Sequence, residues 1–136
     1  MSAKTTSCIS CRDCPAFGAS AFARLPEAEI DRLDGMKAEK IYQRGETFSV
    51  SGRAADQVFC VRSGSAKVTL QDPQSGRQSL VKLVAPGDML GYRCIFSESH
   101  FRATATALTT SVACRISKSD VFELIGHTPA LGFEFL

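Results

Sequence analysis

Between Lys40 and Ile116 the chain is cut at short intervals by Gly45, Gly52, Gly64, Gly76, Pro86-Gly87 and Gly91. The pieces left between these breaks are short, and they are apolar or alternate apolar with polar. Residues 58–61, 66–70, 80–84, 103–108 and 111–116 fit strands by this pattern. Asp72-Pro-Gln-Ser-Gly76 is a turn between two of them. Many short strands at this spacing predict a mainly β domain, an antiparallel β-roll or jelly-roll, with helices at its flanks.

The flanking helices have their own signals. Pro26 suits a first turn, Glu27 and Glu29 favour a helix N-terminus, and Ile30, Leu33 and Met36 recur at helical spacing. Near the other end Ser117 can cap a helix, with Asp120 three residues on. Val121, Phe122, Leu124 and Ile125 give its apolar face, and Gly126 is expected to stop it. Thr128-Pro129 then starts another helix carrying Leu131, Phe133, Phe135 and Leu136. The predicted units are a cysteine-rich loop over 1–20, a β-roll with its helices over 21–126, and the start of a truncated helix over 127–136.

At 136 residues and 44% hydrophobic content, the chain can bury a real core. A net charge of +2 gives no case for a nucleic-acid or membrane surface. The first residues lack the apolar stretch of a signal peptide, and no run approaches a transmembrane length. A cytoplasmic protein with reduced thiols is the expectation, and there clustered cysteines mean metal or redox work.

Cys8, Cys11 and Cys14 form an even C-x2-C-x2-C run. The loop around them has no helical or strand period, so it is expected to need a ligand to order it. Three thiolates at this spacing can wrap an iron–sulfur cluster or one metal ion, with a fourth ligand from elsewhere. Structural zinc tends to use two separated pairs, so a close triplet plus one remote cysteine suits a cluster better. Arg12 and Lys4 can offset thiolate charge. Cys60, inside the apolar run 58–61, reads as packing. Cys114 shares a strand face with Val112 and Ile116 and on its own reads as a small core residue. His100 and His127 are potential heme ligands that read better as surface residues. No hydrolytic motif is present, so an enzyme is not expected.

The order of elements resembles the sensor domain of the CRP/FNR transcription regulators. Tyr42-Gln-Arg-Gly-Glu-Thr-Phe, Ala55-Asp-Gln-Val-Phe-Cys-Val-Arg-Ser-Gly64 and Pro86-Gly-Asp-Met-Leu-Gly91 carry the resemblance. The N-terminal cysteines are similar to those of the FNR branch, the oxygen-sensing regulators with a 4Fe–4S cluster. That resemblance implies Cys114, in Thr109-Thr-Ser-Val-Ala-Cys114, as the fourth ligand beside Cys8, Cys11 and Cys14. Cys94 is the runner-up. The family's third N-terminal cysteine falls near Ser20 here, so Cys8 is expected to supply that thiolate.

The resemblance also implies a homodimer through the helix starting at Pro129. DNA would be bound only through a helix-turn-helix that these residues lack. Cyclic-nucleotide binding would use Gly91, Tyr92, Arg102 and Thr104. However, Tyr92 stands where the phosphate cassette has Glu, and Ala103 breaks the later Arg-Thr pair. The alternative expectation is a small-ligand or cyclic-nucleotide module without a cluster, or with structural zinc.

Overall fold

The computed structural model describes residues 10–97 and 100–134. Two four-stranded antiparallel sheets face each other. One has the order β1 (Ala38–Tyr42), β8 (Ser111–Ser117), β3 (Gln57–Ser63), β6 (Met89–Leu90); the other runs β2 (Thr47–Ser49), β7 (Thr104–Ala107), β4 (Ala66–Gln71), β5 (Gln78–Val84). The predicted β-roll is therefore the observed fold. Each proposed strand falls within one of these, except that β7 is a residue shorter at each end.

Aromatic rings fill the space between the sheets. Phe48 on β2 lies 4.2 Å from Tyr42 on β1 and 6.1 Å from Phe59 on β3, and Phe59 lies 6.5 Å from Phe101. Each such buried side chain contributes about 1.5–3 kcal/mol of transfer free energy. Because side chains alternate along β3, the residues flanking Phe59 point the other way. That outer face of the first sheet is covered by helices and by the N-terminal segment.

Helix α1 (Glu27–Met36) starts after Pro26 and buries Ile30 and Leu33. Helix α3 (Lys118–His127) is capped as expected, with Asp120 N–H donating to Ser117 Oγ at 3.1 Å. It buries Val121 and Leu124 completely. Two expectations are corrected here. Gly126 does not stop α3, which runs on to His127 and ends at Thr128, whose N–H donates to Leu124 O. Helix α4 begins at Leu131, two residues after Pro129, and is described to Glu134. Helix α2 (Tyr92–Ser97) had no signal in the sequence.

Residues 10–20 are more regular than a loop. They form two 3-10 turns, Cys11–Asp13 and Phe17–Ala19. Cys11, Ala16 and nearby Phe22 are buried, so apolar packing contributes to their order without any ligand.

Candidate metal centre

Cys60 and Cys114 occupy opposed positions on β3 and β8, the two central strands of their sheet. The register continues on both sides, giving the row Glu39, Cys114, Cys60, Met89. Both cysteines lie on the outer face, beneath the N-terminal segment. A small cavity of about 20 Å³ lies between the two, lined by Cys11, Cys14, Cys60 and Cys114 together with Lys37 and Arg62. Ser20, Phe22 and Leu33 complete much of its wall.

The 3-10 turn explains how Cys11 and Cys14 reach the same space, because residues i and i+3 eclipse in that geometry. The turn is anchored on α1. Asp34 accepts from the Cys11 N–H at 2.9 Å and from the Ser10 hydroxyl at 2.8 Å. From the other side, Gly87 approaches Ala19 so closely that a Cβ there would lie 2.5 Å from the Ala19 Cβ, and its φ is +95°. Glycine at 87 lets the turn before β6 close onto the segment.

The electrostatics are those of a thiol site with cations at hand. The Lys37 side chain is 3% exposed and pairs with Asp34 at 3.5 Å. Burial pulls its ammonium down, but negative charge on Cys11, Cys114 and Asp34 outweighs this and holds it above the usual lysine value. Arg62 pairs with buried Glu39. Cys11 is pushed up to about 12, chiefly by burial and then by Asp34, with Lys37 opposing. Cys60 is also pushed up to about 12, by burial and then by charge on Cys114, Cys14 and Cys11.

The donor set fits a thiolate-held cluster. All five described cysteines are thiols rather than disulfides. No three His, Cys, Asp or Glu side chains among the described residues stand close enough to share one ion. In a multi-iron cluster each thiolate binds a different iron, so the sulfurs need not converge on one point. The cavity is smaller than such a group, so loading it requires one wall to move outward. The 3-10 segment is the less constrained wall, since β3 and β8 are paired on both edges.

The predicted residues divide clearly. Cys11, Cys14 and Cys114 come together, while Cys8 lies outside the described residues. Cys94 does not join them; it sits on α2 and lines a separate cavity of about 510 Å³. Gly91, Tyr92 and Arg102 line that second cavity too, but Thr104 does not. The Thr104 hydroxyl instead accepts from the Ser51 N–H at 3.1 Å. Cys60, read as packing, does pack against the core, and it also lines the thiol cavity. Its alternation with Phe59 and Val61 was the available signal. Lys37, Arg62 and Asp34 also escaped the sequence reading, since their roles depend on tertiary contacts. Among the described residues no helix is long and apolar enough to cross a membrane.

The family described as "Cyclic nucleotide-binding domain" matches residues 39–128. Electron transport regulator A of Shewanella oneidensis is 31% identical over 131 residues, covering 96% of this chain and 52% of that protein. The fumarate and nitrate reduction regulatory protein of Escherichia coli K12 is 30% identical over 124 residues, covering 90% of this chain and 49% of that one. The chain thus spans about half the length of these curated relatives. Among solved structures, the sensor domain of the transcriptional regulator DNR from Pseudomonas aeruginosa superposes with a TM-score of 0.79 at 17% identity, covering 87% of this chain and 79% of that one. The Thermus thermophilus catabolite activator protein gives 0.75 at 20% identity, covering 84% and 53%. With the family match spanning most of the two-sheet roll, the chain belongs to the cyclic nucleotide-binding domain family.

Proposed function

We propose that this chain is the oxygen- or redox-responsive sensor domain of an FNR-like transcription regulator, and that its cysteine thiolates hold a 4Fe–4S cluster. The observation that carries this reading is the gathering of Cys11, Cys14 and Cys114 around one cavity from opposite ends of the sequence. Cys8 completes the thiolate set that the family resemblance implies. A cluster bound there supplies an oxygen-sensitive covalent link between segment and sheet.

The chain's own residues give that link a consequence. Cys11 and Cys14 belong to a short segment held by apolar packing and a few polar contacts, while Cys114 belongs to a central strand. Lys37 and Arg62 offset the negative charge of the thiolates. Strand β8 runs directly into α3 through the Ser117 cap, and α3 leads through Pro129 to α4. A change in the segment's hold on β8 would pass along this connection toward the helix proposed to pair two copies of the chain. In a longer protein, the readout would be DNA binding by that dimer. Cytoplasmic residence follows from this role.

The test is to purify the chain without oxygen and record its visible absorbance and amide exchange over residues 10–20, before and after air. A coloured protein that bleaches in air, with faster exchange afterwards, is expected. A colourless protein with one zinc per chain contradicts the reading.

A second reading is favoured by the 510 Å³ cavity, whose lining includes Lys82, Arg93 and Arg102. It is a regulatory module that takes a small anion there. Calorimetry with cyclic nucleotides on metal-free protein tests it.

A further inference from the structure

We infer that Cys60 is the fourth thiolate of this centre and that Cys8 is not required. The inference rests on the cluster reading above and changes its ligand set. Cys60 lines the same cavity as Cys11, Cys14 and Cys114, so four cysteines within the described residues already border one space. A 4Fe–4S cluster takes four thiolates, one for each iron.

Position strengthens the assignment. Cys60 is directly opposite Cys114 on a central strand, and it pairs with Met89 of β6 on its other side. Its backbone is therefore fixed by two ladders. Phe59 turns into the space between the sheets, which leaves Cys60 directed at the cavity. The two sheet cysteines face the two turn cysteines, so each wall supplies two ligands.

Ser20 is the other short polar side chain on this wall, and its hydroxyl is already used. It donates to Phe17 O at 2.7 Å and accepts from the Phe22 N–H at 3.3 Å. Arg62 lies two residues beyond Cys60 on the same strand and also lines the cavity, where its guanidinium is paired with buried Glu39.

The test uses the full chain purified without oxygen. Iron and acid-labile sulfide are measured for Cys8→Ala, Cys60→Ala and Cys60→Ser beside the unaltered chain. Cys8→Ala is expected to keep about four irons per chain, and both Cys60 variants to fall below about one. Full iron in Cys60→Ala, or its loss in Cys8→Ala, overturns the inference. A second measurement avoids any folding defect in the variants. The unaltered, loaded chain is treated with iodoacetamide without oxygen, and its peptides are weighed. Cys8 is expected to alkylate at the same rate with the cluster as after its removal. Protection of Cys8 by the cluster overturns the inference. An unaltered chain that takes up no iron or sulfide instead defeats the cluster reading itself.

Discussion

Cys60 and Cys114 face each other across β3 and β8, on the side of the sheet that the N-terminal segment covers. Directly opposed residues in an antiparallel pair hold their Cβ atoms about 4.5–5.5 Å apart. Two thiols are thus placed side by side by strand pairing, and the turn carrying Cys11 and Cys14 lies over them. A thiolate-held group at this place would join a central strand of the sheet to the N-terminal segment.

In the metal-free protein, Cys11 and Cys60 are expected to resist alkylation near neutral pH and to react later than the same residues in the denatured chain. Burial is the leading cause in both resistant thiols, each pushed up to about 12, so little thiolate is present to react. Timed iodoacetamide labelling of the folded and the denatured chain, read by peptide mass, checks the difference.

Gly87→Ala is expected to destabilise the protein by about 1–3 kcal/mol, through both the positive φ and the contact with Ala19. The same change at Gly126 should act in the opposite sense. That residue sits inside α3 with nothing within 4 Å of an added Cβ, and alanine there should stabilise by roughly 0.5–1 kcal/mol. Denaturant unfolding of the two variants checks both signs.

Asp34→Asn should weaken the anchoring of residues 10–20, and the size of the effect should depend on pH. Burial alone would raise the Asp34 carboxyl, but hydrogen bonds from Cys11 and Ser10 and the charge on Lys37 outweigh it, and the group lies below its ordinary 3.8. A lowered carboxyl contributes stability above the unfolded value and loses it as pH falls through the folded one. The stability gap between wild type and variant should therefore be full above about pH 5 and shrink below 3.8. A pH series of unfolding curves measures it.

Cyclic AMP titrated into metal-free protein should give no saturable heat below about 1 mM. The larger cavity has cations for a phosphate in Lys82, Arg93 and Arg102, but among the described residues its lining contains no carboxylate. A sugar hydroxyl buried there would lose its water without gaining a charged acceptor. Isothermal calorimetry decides the point.

The sheet strands were legible because glycine breaks and two-residue alternation are local signals. Ser117 and Pro26 were legible for the same reason. Gly126 misled because a helix tolerates glycine when the preceding turns are anchored by residues as buried as Val121 and Leu124. Cys11, Cys14 and Cys114 could be nominated from spacing and resemblance. The place of Cys60 on the cavity wall was half legible: alternation with Phe59 sets its face, but its position opposite Cys114 depends on the β3–β8 register, which no local pattern carries. The burial of Lys37 beside the thiols likewise arises only once α1 packs over the sheet.

The most direct test of the cluster assignment is the iron and acid-labile sulfide content of the chain purified without oxygen, measured beside Cys114→Ala. The account expects about four of each per wild-type chain and below about one in the variant. Wild-type chain carrying zinc alone, or a Cys114→Ala chain with its iron intact, would contradict it.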